Sequence, residues 1–263
     1  MIRSPFVPLV LALAASLPAT AAEASLVHPG EPGEWSLTTA VTSRYMFRGV
    51  RVGDESLQPS LDYARGPLAL GIWSSIGLAD QVSGDSDPEV DFYGAYSFGN
   101  DSETWSVTPG LNIYTYPDAR RADGLYRATF EPSLAVSAIV GGIRFTPTLY
   151  HDLTLRGTTA EVTAEFAVPL TTLGTELGFS ATVGTYKWSS VTADASPREK
   201  NWGDYWSAGV TLPYQVGARS SVSLAIAYAE GRHNFYKQGT DPKQPNDDAV
   251  GRVVVTVSYT VTL

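Results

Sequence analysis

Charged side chains recur at every second position along several segments of the sequence. In the segment SRYMFRGV, Arg44 and Arg48 occupy even positions, whereas Tyr45 and Phe47 occupy odd positions between them. Alternate side chains of an extended strand share a face, so this spacing predicts a charged face and an aromatic face. Charges of both signs along one face can select ions and order polar solutes. The candidates for this charged face are Arg44, Arg48, Asp62, Asp91, Arg127, Glu131, Arg144, Asp152, Glu161, Glu165 and Arg252.

Few residues of the sequence are suited to catalysis. The chain contains no cysteine and has three histidines, His28, His151 and His233. His151 could be the base of a lipid hydrolase if a serine nucleophile and a polar orienting group lay beside it. The spacing of the serines offers no such pair. We therefore predict that the protein is not an enzyme and requires no cofactor.

The acidic segment ADQVSGDSDPEVD, residues 79–91, is a candidate for calcium binding through its carboxylate oxygens. It lacks the glycine and the distal glutamate that define an EF-hand loop. We expect a solvated loop that divalent ions bridge weakly to lipopolysaccharide, and no dedicated metal site. Arg120 and Arg121, in a second polar segment, could contact lipopolysaccharide phosphates or be ordinary surface charges.

The first 22 residues have the layout of a secretory signal peptide. Arg3 provides the positive start, residues 7–17 form an apolar run, and ATAAEA supplies the small residues that a signal peptidase recognises. We expect cleavage between residues 21 and 24, followed by an N-terminal periplasmic segment at 23–34. The apolar run is too short to span a bilayer as a helix.

The composition of the 263-residue chain excludes several classes of protein. The formal net charge is −9, so nucleic acid is not an expected partner, because phosphate binding requires a basic surface. The absence of cysteine removes disulfide bonds from the fold. No run of about 18 apolar residues follows residue 24, which argues against membrane-spanning helices.

From Trp35 onward the hydrophobicity has a period of two, which predicts β-strands with two different faces. In the last segment Val253, Val255 and Val257 share one face, while Thr256 shares the other face with polar neighbours. Many of the predicted strands reach about ten residues, the length that a tilted strand needs to cross a bilayer. Twelve strands are predicted, at 35–48, 56–64, 67–78, 89–98, 104–116, 125–137, 143–153, 159–170, 176–188, 204–213, 221–231 and 249–263.

The connections between these strands alternate in length. Short turns such as IVGG and TTLGT follow even-numbered strands, and longer charged segments such as 79–88 and 232–248 follow most odd-numbered ones. This asymmetry is typical of an outer-membrane barrel, which closes on itself and satisfies its backbone polar groups in lipid. A soluble β-sandwich or lipocalin-like barrel is the alternative, but it predicts neither this strand length nor this asymmetry. Prolines within the predicted strands indicate bulges, at Pro109, Pro132, Pro147 and Pro169.

These patterns predict an all-β protein in which residues 35–263 form one transmembrane antiparallel barrel of about twelve strands. Its termini and short turns would lie in the periplasm, and its longer loops outside the cell. In such a barrel Tyr45 and Phe47 face lipid, whereas Arg44 and Arg48 face the lumen. Arg252 would lie close to both arginines, because the last strand closes against the first. The acids across the lumen would be Glu131, Asp152, Glu161 and Glu165.

Residues 36–120 resemble the TorF family, a group of exported proteobacterial porin-like proteins. The resemblance rests on a set of short motifs: S-x-Y-x-F-R-G, Q-P-x-x-x-Y, G-x-W-x-S and E-x-D-x-Y-G-x-Y. The matching residues here are Ser43, Tyr45, Phe47, Arg48 and Gly49; Gln58, Pro59 and Tyr63; Gly71, Trp73 and Ser75; and Glu89, Asp91, Tyr93, Gly94 and Tyr96. The resemblance implies an outer-membrane barrel of a Gram-negative bacterium.

We expect a channel for the passive diffusion of small polar solutes or ions. The alternative is a non-conducting structural or surface-interaction barrel whose luminal charges pair and fill a small interior. The expected partners are outer-membrane lipid and lipopolysaccharide. The barrel assembly machinery is a further expected partner, through the C-terminal strand with Tyr259, Val261 and Leu263 on one face.

Overall fold

The computed structural model describes residues 33–78, 88–99, 104–119, 126–188, 202–231 and 247–263. The predicted signal peptide and most of segment 23–34 lie outside the described residues, and so do large parts of the longer connections. The same is true of the acids at 80–87, of Arg120 and Arg121, and of His28 and His233. No helix within the described residues has the length and apolarity that would carry it across a membrane.

The described chain is built almost entirely of strands. Their bounds are β1 Glu34–Thr42, β2 Tyr45–Phe47, β3 Val50–Gly53, β4 Ser56–Arg65, β5 Leu68–Gly77, β6 Glu89–Tyr96, β7 Phe98–Gly99, β8 Trp105–Thr115, β9 Ala128–Val140, β10 Ile143–Asp152, β11 Gly157–Leu170, β12 Thr175–Trp188, β13 Trp202–Gly217, β14 Ser220–Glu230 and β15 Arg252–Thr262. A short 3₁₀ helix, Asp247–Ala249, precedes β15.

Thirteen of these strands close into one antiparallel barrel. β1 pairs with β4 on one side and with β15 on the other, from Ser36↔Thr262 to Thr42↔Thr256. β6 and β7 both pair with β8 and form one interrupted wall strand, so the wall has twelve strands. The predicted twelve-stranded barrel is therefore confirmed, and so is the closure of its last strand on its first. The two separate sheets of a β-sandwich are not present in the described fold.

The wall of the barrel is apolar outside and polar inside. Leu134 is 48% exposed and Val183 60%, whereas Glu131 is only 1% exposed. Outward residues such as Phe92 alternate with buried inward ones such as Asp91 along β6. A soluble barrel places its apolar side chains inside. This inverted pattern is typical of a barrel whose outer surface contacts lipid.

The prolines within strands interrupt the strand pairing without producing bulges. Pro109 lies opposite the break between β6 and β7, where its missing N–H removes a hydrogen bond from the ladder. The ladder between β9 and β10 lacks pairs at Thr146 and Pro147 and then resumes in the same register. The register of the wall shifts only at Gln215/Gly217 among the described strands. The bulges predicted at Pro109, Pro132, Pro147 and Pro169 were therefore wrong.

β2 and β3 form a two-stranded hairpin that leaves the wall and crosses the lumen. The wall strand β1 ends at Thr42, so the predicted strand at 35–48 was too long. The hairpin contacts inward-facing residues of β14 and β15 on one side and of β6, β8, β9 and β10 on the other. A segment that contacts opposite parts of a closed wall lies inside it. We call residues 43–55 the luminal segment, and residues 45–53 its hairpin.

Candidate luminal site

The hairpin packs on small residues of the last two wall strands. Met46 is 1% exposed and contacts Ala227 and Ala229 of β14 and Val254 of β15. The short alanine side chains leave room for a second layer of backbone inside the wall. The hairpin is thus held by apolar packing on this side of the lumen.

Gly49 marks the closest approach of the hairpin to the wall. Its φ is +76°, and a Cβ at this position would lie 2.7 Å from the backbone carbonyl carbon of Glu230. A larger residue would meet both a disfavoured backbone conformation and a collision with the wall backbone. The position therefore requires glycine.

Arg48 connects the hairpin to the opposite wall. Its Nη1 and Nη2 donate to Oε2 and Oε1 of Glu131 on β9, at 2.9 and 2.8 Å. The Tyr114 hydroxyl donates to Glu131 Oε1 at 2.8 Å. Burial alone would lower the pKa of the Arg48 guanidinium, but the adjacent Glu131 carboxylate raises that pKa above its ordinary value. Arg48 therefore stays charged, and the carboxylate receives the two parallel hydrogen bonds that suit a guanidinium.

A second buried carboxylate lies beside this ion pair. Glu161 on β11 accepts hydrogen bonds from the hydroxyls of Tyr150 and Tyr205, the first at 3.0 Å. The Tyr150 ring also lies 5.1 Å from the Arg48 guanidinium carbon, a cation–π distance. The tyrosines therefore surround both the hairpin arginine and the neighbouring acid.

Tyr45 connects the other strand of the hairpin to β5 and β6. Its hydroxyl donates to Glu89 Oε2 at 2.9 Å, and its ring centroid lies 5.5 Å from that of Trp73. Burial and the Glu89 carboxylate raise the pKa of the Tyr45 phenol well above its usual value. The phenol therefore remains a hydrogen-bond donor. The prediction that Tyr45 faces lipid was wrong, and Phe47 likewise packs inward, edge-on against Tyr114.

A group of arginines lies where the luminal segment leaves and rejoins the wall. Arg51 Nη1 donates to both carboxylate oxygens of Asp54 at 2.9 Å, and its Nη2 donates to Asp248 at 3.1 Å. Arg44 donates to the carbonyl oxygen of Val253 at 2.8 Å. Arg252 interacts electrostatically with Arg44 and Arg51. The expected proximity of Arg252 to Arg44 is therefore observed, but Arg48 lies with Glu131 on the other side of the lumen.

The remaining predicted charges are spread along the wall. Asp62 accepts hydrogen bonds from Ser60 and Tyr93. Asp152 is buried and caps the turn after β10, where it accepts from the backbone amides of Thr154 and Leu155.

Two further predicted arginines differ in exposure. Arg144 is the register partner of Glu165 and donates to the Ser137 hydroxyl at 3.0 Å. Arg127 is exposed and donates to the carbonyl oxygen of Pro117, so it lies outside the luminal cluster.

The sequence did not single out the tyrosines that hold this cluster together. Tyr114, Tyr150 and Tyr205 are all less than 8% exposed. Each occupies the polar parity of its strand, as Tyr150 does between Thr148 and Asp152. An aromatic residue at a polar position was the available signal.

His151 is exposed on the outer surface. Its Nδ1 lies 2.9 Å from the Thr158 hydroxyl oxygen, so its described partner is a threonine and not a serine nucleophile.

Comparison with known proteins places the chain in a family. The model of a bacterial family described as "Bacterial protein of unknown function (Gcw_chp)" matches residues 27–261, and the chain belongs to that family. No curated protein has a sequence that matches this chain.

The fold is similar to those of two solved porins. A structure of the NanC porin shares 11% identity with a TM-score of 0.53, over 87% of this chain and all of that one. The KdgM porin shares 7% identity with a TM-score of 0.50, over 86% of this chain and 98% of that one. At these identities the similarity shows the fold alone, a small porin-type barrel.

Proposed function

We propose that this protein is a channel for the passive diffusion of small polar solutes or ions, narrowed by the luminal hairpin. The observation that carries the proposal is the closed barrel with an apolar exterior and a charged interior. An apolar exterior suits residence in lipid, and a polar interior suits the passage of water and solutes. The fold that the chain shares with the NanC and KdgM porins supports the same function.

The cellular setting follows from this proposal. The protein would lie in the outer membrane of a Gram-negative bacterium, after export by a cleaved signal peptide and insertion by the barrel assembly machinery. Lipid and lipopolysaccharide would surround it. The short turns would face the periplasm, and the luminal segment would enter the barrel from the cell surface. The motifs shared with the TorF family favour the same setting.

The position of the hairpin indicates where selection would occur. Arg48, Glu131 and Glu161 meet in the middle of the section that the hairpin crosses, so passing solutes would contact fixed charges there. A lumen has a lower effective dielectric constant than bulk water, which strengthens such electrostatic interactions.

The close packing of the hairpin favours a second candidate function, a non-conducting structural or surface-interaction barrel. Met46 and Val50 are almost completely buried, so the hairpin fills much of the section that it occupies. Both candidates require the same wall, and they differ only in whether water and ions pass the hairpin.

Conductance in a planar lipid bilayer tests the proposal. Purified, refolded protein is expected to produce discrete open steps in the presence of KCl. Circular dichroism of the same sample would verify that the protein inserted is folded. Absence of steps from verified folded protein over many insertions would overturn the channel proposal and favour the non-conducting barrel.

A further inference from the structure

We infer that the lumen contains a binding site for a compact ammonium cation, formed by Asp91 and Glu89 of β6 beside the hairpin. The role of this site in transport rests on the proposed channel function, but binding itself does not require conduction. The two carboxylates are two residues apart on one strand, so both face the lumen. Glu89 is 5% exposed and Asp91 2%.

Asp91 carries two buried acceptor atoms without donors. Both carboxylate oxygens are buried, and neither has a hydrogen-bond partner among the described residues. The backbone amide of Thr115 interacts with this carboxylate but does not complete a hydrogen bond. None of the ion pairs in the described ranges involves Asp91. A buried carboxylate in this state is costly, so it favours a ligand that brings donors and positive charge.

Aromatic side chains enclose Asp91 on several sides. Trp73 of β5 and Tyr114 of β8 are its direct register partners, so the three side chains form a row across the inner wall. The hairpin adds two rings: Tyr45 lies 5.5 Å from Trp73 and Phe47 lies 6.2 Å from Tyr114, centroid to centroid. Ring faces attract a cation at such distances, and they attract an organic ammonium in particular.

The chemistry of these groups favours an ammonium ion over a metal ion. Within the described chain, no three His, Asp or Glu residues are arranged to hold a metal, whereas Ca²⁺ requires six to eight oxygen ligands. An ammonium ion supplies N–H donors to the open oxygens of Asp91 and places its remaining surface against the rings. Glu89 already receives the Tyr45 hydroxyl and adds a second negative charge. A small primary amine therefore fits both the acceptors and the aromatic enclosure.

Isothermal titration calorimetry of the folded, detergent-solubilised protein tests the site with methylammonium chloride, at an ionic strength held constant with NaCl. Wild type is expected to bind methylammonium saturably, and Asp91→Asn to bind it at least tenfold more weakly. Asp62→Asn is the matched control, because Asp62 is a luminal aspartate whose oxygens already accept from Ser60 and Tyr93. This control is expected to bind within about twofold of wild type. Tetramethylammonium, which has no N–H donor, is expected to bind more weakly than methylammonium.

Several results would overturn the inference. They are an absence of saturable binding to wild type, equal binding by Asp91→Asn, and equal affinity for the two ammonium ions. If Asp91→Asn does not fold, Trp73→Leu replaces it, with weaker methylammonium binding as the expected result and unchanged binding as the contrary one. Saturable binding by a protein silent in bilayers would retain the site and remove the channel. Conductance without binding would retain the channel and remove the site.

Discussion

Arg48 and Glu131, 83 residues apart in the sequence, form two parallel hydrogen bonds that join the tip of the luminal hairpin to β9. Both side chains are almost completely buried. Removal of one partner from such a pair leaves the other charge without compensation and costs about 3–5 kcal/mol. The hairpin can avoid this cost by leaving its position, since the barrel wall does not depend on it for strand pairing.

Replacement of Arg48 by alanine is therefore expected to release the hairpin and increase single-channel conductance. Arg48→Lys keeps the charge but loses the two parallel hydrogen bonds, so an intermediate increase is expected. Arg44→Ser is the control, because Arg44 bonds a backbone carbonyl at the wall and does not cross the lumen. Conductance equal to wild type in a folded Arg48→Ala protein would contradict a narrowing role of the hairpin.

Replacement of Gly49 by alanine is expected to displace the hairpin by a different route. The added Cβ would meet the backbone of Glu230 at 2.7 Å, and the residue would also keep a positive φ. Gly141→Ala provides a matched control, since Gly141 has a φ of +62° but a Cβ there meets nothing within 4 Å. Faster tryptic cleavage after Arg48 or Arg51 in Gly49→Ala than in Gly141→Ala is the expected result. Equal cleavage rates would indicate that close packing at Gly49 is not needed.

The pore is expected to prefer cations weakly. Five carboxylates in the described lumen are at most 6% exposed, against one arginine, so negative charge dominates there: Glu89, Asp91, Glu131, Asp152 and Glu161, against Arg48. Reversal potentials under a KCl gradient measure this preference. It should increase when Arg44 and Arg48 are both replaced by serine, and it should fade near 1 M salt, where the Debye length is about 3 Å. An anion preference in wild type would mean that the conduction path avoids these acids.

An arginine at Leu224, in the middle of β14, distinguishes a lipid-facing exterior from a water-facing one. Leu224 is 41% exposed, and an arginine near the centre of a lipid-facing wall costs about 2–4 kcal/mol. Leu224→Arg is expected to lower the free energy of unfolding measured in liposomes by this amount. Ser223→Arg, on the inner face of the same strand, should cost less. If Leu224→Arg costs no more than Ser223→Arg, the outer surface does not contact lipid.

The wall of the barrel could be predicted from the sequence because its signal is local. A period of two appears within each strand, and turn residues such as Gly141 and Gly142 lie next to the strands that they connect. Both have positive φ, as a tight hairpin turn requires. Closure of β1 on β15 then follows, because a barrel leaves no unpaired edge.

The luminal hairpin could not be predicted in this way. The alternation of β1 continues through Arg44, Tyr45 and Arg48, so the segment has the pattern of a longer strand. Its position depends on partners far away in sequence, such as Glu131 and Ala229. Gly49 and Gly53, with a connection shorter than the other loops on that end, were the only local indications that the chain turns back.

The seat of Met46 on Ala227, Ala229 and Val254 has a consequence for the order of assembly. The hairpin emerges early during synthesis, directly after the first strand, but its seat belongs to the last two strands. Arg44 and its acceptor Val253 are separated by 209 residues, which makes this one of the most non-local contacts of the chain. Contacts of such long range form late in folding, after the entropy of closing the intervening chain has been lost. A newly made barrel would therefore pass through a wide, unobstructed stage, and the hairpin would settle only once the first and last strands have met.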